Sequence, residues 1–347
     1  MLNKLLIYLP QSVRDVISYM EENLLKAVLV VNDQKVLKGL FTYGDMRHYF
    51  LNGGNLTSSI EDAMNKEPIV FYSFEEVEQI RKERQLVIYP IIDKDGHVID
   101  AITNERYRVD EKINDFLKDV PLVIMAGGKG TRLYPYTKIL PKALLPIGDY
   151  TITERIISGF QKYGCHNVFM VLNYKANMIK AYFNEIERSY DVEYIQEKEF
   201  LGTAGGLRLL KGRLNEAFFV SNCDIIVNAD LECVYKTHKM NGNIITFVCA
   251  MKNVMIPYGV VETDGCGNIT MMQEKPEYSY LVNTGLYLVE PEVIEYIQDD
   301  EFVHMPELAR RYMEEGKKVG VFPVSEKAWM DMGQFKEMET MIKNLGI

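Results

Sequence analysis

The sequence is poor in the residues that most often carry metal or redox chemistry: five cysteines, five histidines and one tryptophan in 347 residues. Cys165, Cys223, Cys233, Cys249 and Cys266 are well separated and form no CxxC pair, and the histidines are equally scattered. A zinc site of ordinary spacing and a disulfide framework are thereby excluded, and the usage fits a reducing, cytoplasmic setting. Cysteines in apolar runs, such as Cys249 in ITFVCAM, read as small core residues. Positive charge is also in deficit, 39 Lys+Arg against 49 Asp+Glu for a net charge of −10. No sequence-independent attraction to nucleic acid or to an anionic membrane is expected. Long apolar runs are missing too, since AVLVV at 27–31 is typical of the longest and far too short to cross a bilayer. The opening MLNKLLIYLP lacks a small-residue cleavage pattern and runs into the helix-like SVRDVISYMEENLL, so it reads as mature protein.

What is present is apolar bulk, 47% of a length that usually holds more than one domain. The first third contains a repeat. VLVVNDQKVLKGLFTYGD at 28–45 and VIYPIIDKDGHVIDAITNER at 87–106 each read as strand, polar turn, strand, closing on a threonine that leads into a helix. The offset from Thr42 to Thr103 is 61 residues, and a helical stretch precedes each copy.

This unit resembles tandem CBS domains, regulatory modules that often bind adenine nucleotides between two copies. In that family a threonine and an aspartate three positions on hold the ribose, which Thr42 and Asp45 could do. The second copy has Arg106 at the aspartate's position, so at most one ribose site is expected. The alternative is a dimerisation or docking domain without ligand.

Beyond the polar connector RVDEKINDFLKDVPL, Pro121 precedes a new strand, which sets the expected domains at 1–117 and 118–347. Apolar strand runs then alternate with helical patterns: LVIMAGG, TERIISGFQKY, NVFMVL, MIKAYFNEIERS, VEYIQ, AFFVSNCD. Such alternation predicts an α/β domain with a mixed, mostly parallel, Rossmann-like sheet and ligands at the carboxyl ends of its strands.

The first of these strands leads into AGGKGTRL, which is neither a P-loop nor the dinucleotide fingerprint, since Leu133 stands where the third glycine belongs. What remains is a loop of small residues whose bare backbone can approach phosphate, with Thr131, Arg132 and Lys142 close by in the chain. A bland glycine-rich turn would account for Gly127 and Gly128 but not for that positive charge.

Taken whole, MAGGKGTRLYPYTKILPKALLPIG closely resembles the signature of the sugar-1-phosphate nucleotidyltransferases. Further landmarks fall in family order: EFLGTAGG at 199–206, FFVSNCD ending at Asp224, PYGVVE at 257–262, QEKP at 273–276, VNTGLYLVEP at 282–291 and WMDMG at 329–333. With the CBS pair ahead of it, the chain looks most like the glucosamine-1-phosphate guanylyltransferases of bacterial legionaminic acid pathways. Two departures stand out: Cys223 replaces a glycine before Asp224, and DYTITE replaces a lysine-proline pair before the next helix.

The resemblance implies Mg²⁺ held by Asp224 and Asp331, and a nucleotide lying along Ala126, Gly127, Gly128, Gly130, Thr131, Gly202, Thr203 and Ala204. Arg132 would stabilise departing pyrophosphate, Lys142 would sit near the α-phosphate and Lys275 near the sugar phosphate, with Gly259, Glu274, Asn283 and Thr284 reading the sugar. Either aspartate alone would pass for a turn or capping residue, and any one lysine for a solvated surface group. Five positions before Gly202 stands Glu197, where relatives that use uracil or thymine present a glutamine. A carboxylate only accepts hydrogen bonds, and guanine offers two adjacent donors, so Glu197 argues for GTP. A one-residue slip would give that place to Gln196. Two alternatives stay open: a UTP-, dTTP- or CTP-dependent sugar-phosphate or phosphocholine enzyme, and an inactive sensor or scaffold. The expected assembly is a homo-oligomer.

Overall fold

The structure is a computed structural model that describes residues 2–23, 25–83, 86–103 and 115–344. The chain divides into two compact units, Met1–Glu111 and Lys112–Ile347. Among the described residues no helix is long and apolar enough to cross a membrane.

In the first unit β1 (Leu6–Tyr8) lies parallel to β2 (Ala27–Val31), which turns back into β3 (Leu37–Thr42). Between β1 and β2, the helix Val13–Glu22 buries Val13, Val16, Ile17 and Met20, the i, i+3, i+4, i+7 stripe of an amphipathic helix. Ser12 and Asp15 close its start in a reciprocal cap. The second copy follows the helix Phe74–Glu83 with β4 (Ile88–Ile92) and β5 (Val98–Thr103). The two hairpins match residue for residue: Ala27 faces Thr42, Ile88 faces Thr103, and both ladders slip between the last two residues of the first strand. Their apolar faces meet in one core that includes Leu29 and Val31 with Ile88 and Val98. Arg106 lies outside the described residues.

The second unit starts at β6 (Leu122–Ala126) and continues through a two-residue pair, β7 (Pro146–Ile147) and β8 (Tyr150–Thr151). β9 (Asn167–Leu172), β10 (Asp191–Gln196), β11 (Phe218–Asn222) and β12 (Ile225–Val227) come next. They are followed by β13 (Ile245–Met255), β14 (Val260–Thr263), β15 (Ile269–Gln273), β16 (Glu277–Val289), β17 (Val319–Ser325) and β18 (Trp329–Asp331). Seven of these form one sheet in the order β10-β9-β6-β11-β16-β13-β17. All neighbours run parallel except those of β16, which is antiparallel to β11 and β13. The expected α/β architecture with a mixed, mostly parallel sheet is what the chain adopts.

The continuous apolar run of β6 is explained by its central place: Leu122, Ile124 and Ala126 enter one core and Val123 and Met125 the other. The departure at DYTITE has a local solution. Thr151 accepts from the Glu154 N–H while the Glu154 carboxylate accepts from the Thr151 N–H, so the helix Ile152–Gln161 begins on its own capping box.

Candidate active site

Four of the predicted residues converge beyond the carboxyl ends of β6 and β11. After Ala126 the chain leaves the sheet as an exposed loop through Gly128 and Lys129 and turns at Gly130, whose φ of 64° suits glycine. A Cβ at Gly130 would lie 2.9 Å from Thr137 Cγ2 and 3.3 Å from Lys142 Cβ. Thr137, buried, donates its hydroxyl to the Gly130 carbonyl at 2.9 Å. The glycine therefore lets the loop fold down onto the segment that carries Lys142, leaving Thr131 and Arg132 exposed.

The two aspartates are brought together by a short antiparallel ladder. β12 pairs with β18 so that Ile225 faces Asp331, and the Met332 N–H donates to the Asp224 carbonyl at 2.8 Å. Lys142 Nζ donates to Asp224 Oδ2. Burial first, and then the Asp224 charge, raise the Asp331 carboxyl above the ordinary carboxylate range, while Lys142 and Arg132 oppose the rise. Two neighbouring carboxyl groups, with the Lys142 ammonium on one of them, form a site suited to a hard cation. Burial, and then the Asp224 charge, push the neighbouring Cys223 thiol up to about 12.

The second group gathers around Glu197. This side chain is only 2% exposed, and it lies between two glycine backbones. A Cβ at Gly127 would stand 2.3 Å from Glu197 Oε2, and one at Gly206 would stand 2.5 Å from Oε1. Oε1 accepts a long hydrogen bond from the Leu201 N–H at 3.4 Å, whereas Oε2, buried, has no partner. Burial pushes the carboxyl up to about 7. Gln196 faces the other way, exposed, with its amide oxygen accepting from Lys180 at 2.7 Å. The strand alternation thus puts the glutamate inside and the glutamine outside.

The loop after Glu197 is stitched to a segment a hundred residues on. The Ala204 and Gly205 N–H groups donate to the Val303 carbonyl at 3.1 and 3.2 Å, and the Thr203 N–H donates to His304 Nδ1 at 3.3 Å. Gly202 has φ 85°, and a Cβ there would meet the Val303 carbonyl oxygen at 2.5 Å. The segment Glu301–Met305, together with Thr137 and Asn173, which donates to the Glu197 carbonyl at 3.2 Å, was not legible as part of the site. Thr137 lies inside the glycine-loop signature without being singled out there, whereas Asn173 and Glu301–Met305 carry no motif and act through contacts distant in sequence.

Around the residues expected to read the sugar, β13 and β16 pair over their full length and the chain between them forms the β14–β15 hairpin. A Cβ at Gly259 would lie 3.0 Å from Glu274 Oε2, and the Lys275 N–H donates to the Tyr258 carbonyl at 3.2 Å, so Gly259, Glu274 and Lys275 are close together on exposed chain. Asn283 and Thr284 are placed differently. The Thr284 side chain is 2% exposed and donates to the Val248 carbonyl at 2.7 Å, while Asn283 Nδ2 donates to the Tyr287 hydroxyl at 2.9 Å and its Oδ1 accepts from the Gly285 N–H. Both side chains hold the ladder at the β-bulge between Val248 and Cys249.

Residues 122–346 match the family model for nucleotidyl transferases. The chain belongs to that family. Residues 5–52 match the CBS domain model, which covers the first copy of the repeat. Among curated relatives of this nucleotidyl transferase, the UTP--glucose-1-phosphate uridylyltransferase of Synechocystis is 33% identical over 195 residues, 50% of each chain. The mannose-1-phosphate guanyltransferase beta-A of Xenopus laevis is 33% identical over 227 residues, 63% of this chain and 62% of the relative. The chain spans less than two thirds of the length of either. The crystal structure of HddC from Yersinia pseudotuberculosis superposes with a TM-score of 0.52 at 21% identity over 65% of this chain and 99% of that one, a likeness of fold.

In the CBS unit Thr42 and Asp45 satisfy one another. Thr42 Oγ1 accepts from the Gly44 and Asp45 N–H groups, and Asp45 Oδ2 accepts from the Thr42 N–H at 2.9 Å and its hydroxyl at 2.7 Å, a capping box on the helix Tyr43–Leu51. Among the described residues the cluster with three candidate metal-ligating groups is Asp93, Asp95 and His97, on a turn of the same unit where Asp93 accepts from the Asp95 and His97 N–H groups.

The glycine contacts make a direct prediction for the nucleotidyl transferase unit. Gly127→Ala drives a methyl group onto the Glu197 carboxylate, so nucleotide affinity is expected to fall at least tenfold with little change in sugar-phosphate KM. Steady-state kinetics with each substrate varied in turn checks it, and an unchanged nucleotide KM would remove Gly127 from the site.

Proposed function

We propose that the second unit transfers a nucleotidyl group, GMP from GTP in the first instance, to a sugar 1-phosphate of glucosamine or mannose type, releasing pyrophosphate. The observation that carries this reading is the presence of two side-chain groups about one glycine loop: the Arg132, Lys142, Asp224 and Asp331 cluster and the buried Glu197 carboxylate. Relatives named for glucose 1-phosphate and mannose 1-phosphate support the substrate class.

In the reaction an oxygen of the sugar phosphate attacks the α-phosphorus, a new P–O bond forms, and the α–β P–O bond breaks with its electron pair leaving on pyrophosphate. Such a transfer needs alignment and charge neutralisation rather than a covalent nucleophile. Arg132, exposed on the loop, offers a forked cation to the leaving phosphates. Lys142, which contacts Asp224, would neutralise charge at the α-phosphate. A divalent cation, Mg²⁺ in this reading, bound by Asp224 and Asp331 would supply further charge neutralisation at phosphate oxygens. The Glu197 carboxylate accepts from the guanine N1–H and 2-amino group, which gives its orphaned oxygen a partner. Lys275 and Glu274 face the sugar phosphate and its hydroxyls.

The test is a matrix of GTP, UTP, dTTP, CTP and ATP against glucosamine-, mannose- and glucose-1-phosphate, assayed for pyrophosphate release with Mg²⁺. GTP with a glucosamine or mannose acceptor is the expected pair. Preference for UTP or dTTP sinks the guanine assignment alone; no release with any pair favours an inactive sensor and sinks the transferase reading.

A further inference from the structure

We propose that Phe200 is the wall on which the nucleotide base stacks, and so a specificity-determining residue beside Glu197. This rests on the reading of the Gly127–Glu197 region as the base site. The Phe200 ring is 40% exposed although it follows the polar run QEKE, an expensive place to leave an aromatic face in water. Its position is specific. Phe200 Cδ2 lies 3.4 Å from the point a Gly127 Cβ would occupy, and Glu197 Oε2 lies 2.3 Å from that same point. An aromatic ring and an unpartnered buried acceptor therefore flank one stretch of bare backbone.

The ring is also braced. Phe302 meets it edge-on with centroids 6.1 Å apart at 74°, and His304 meets Phe302 at 5.1 Å and 81°. His304 in turn accepts from the Thr203 N–H through Nδ1. The segment Glu301–Met305 thus braces the ring through Phe302, while the exposed part of Phe200 is left for a ligand. A ligand that satisfies both neighbours must be planar, with a π-face for Phe200 and hydrogen-bond donors on its rim for Glu197. A nucleobase meets that description, and a purine covers more of the ring than a pyrimidine. Phosphates and sugars do not.

The experiment is equilibrium binding by calorimetry, which does not depend on turnover, with GTP and with inorganic tripolyphosphate as a probe that has no base. Wild type is compared with Phe200→Ala, Phe200→Leu and Phe200→Tyr. The expected result is a loss of about tenfold or more in GTP affinity for Phe200→Ala, with tripolyphosphate affinity within twofold of wild type. Phe200→Tyr should restore GTP binding and Phe200→Leu should not. The proposal is overturned if Phe200→Ala binds GTP within twofold of wild type, if both probes weaken together, or if leucine serves as well as tyrosine. Where wild type binds UTP better than GTP, the same ratios are read with UTP. A selective loss there keeps the stacking wall and removes the guanine assignment, and binding of no nucleotide by the wild type removes both.

Discussion

Asp331→Asn is expected to lower turnover by two or more orders of magnitude while leaving the fold intact, a loss of roughly 3 kcal/mol or more in transition-state stabilisation. The substitution conserves shape, so β18 should keep its pairing with β12 and Met332 its bond to the Asp224 carbonyl. What disappears is one of two adjacent negative charges. Because burial and Asp224 raise the Asp331 carboxyl, its ionised form is disfavoured in the native state. Native stability from this group is therefore lost as pH rises from its ordinary value through the raised one. Asparagine removes that loss, so the variant should melt at or above the wild-type temperature at pH 8 while being nearly inactive. Asp224→Asn should lose turnover to a similar degree and also remove the charge that Lys142 contacts. Melting curves alongside pyrophosphate release separate the two effects. Near-normal Mg²⁺-dependent activity in either variant would show that aspartate to be no metal ligand.

Glu197→Gln is expected to trade nucleotide selectivity for stability. An amide at this place donates as well as accepts, so one of the two guanine donors loses its acceptor, weakening GTP use by about 1.5–3 kcal/mol in transition-state terms. UTP or dTTP should gain relative to GTP. The stability effect follows from the carboxyl's shift from 4.5 to about 7 with burial as its main cause. Between those values the native protein holds a proton that the unfolded chain has released, so stability falls as pH rises from about 4.5 to 7 and stays lowered above. Glutamine has no such term, and the variant should be more stable than wild type at pH 8 by on the order of 2–3 kcal/mol, with little difference at pH 4.5. For the same reason wild-type affinity for GTP should decline as pH drops below 7, and that of Glu197→Gln should not. A variant that melts identically to wild type at both pH values, or a Gln196→Ala that abolishes GTP preference while Glu197→Gln is silent, would take the base assignment away from Glu197.

Much of this arrangement is legible in the sequence, for identifiable reasons. β6 reads as a buried strand because five apolar residues in a row are needed when both faces of a parallel strand are covered. The repeat in the first unit was visible because each hairpin is local, and two local structures with the same turn chemistry leave the same spacing. Arg132, Lys142, Asp224 and Asp331 could be singled out because ordered motifs survive in one dimension even when 82 residues separate Lys142 from its partner Asp224. What each of them touches was not visible.

The sequence by itself determined the α/β class, the doubled hairpin, the glycine loop after β6 and the identity of the charged residues, since these depend on periodicity, glycine placement and motif order. Only the tertiary structure decided that Glu197 rather than Gln196 faces inward, because that depends on how β10 meets its neighbours and not on either residue's chemistry. It decided that Thr284 is occupied by the Val248 carbonyl, since a β-bulge between β13 and β16 is set by the pairing of both strands. It also brought Glu301–Met305 onto the loop at Gly202, where the Val303 carbonyl oxygen lies 2.5 Å from the place of an absent Cβ. A contact between backbones leaves no mark on side-chain pattern except the glycine itself, and a glycine alone does not say what it lies against.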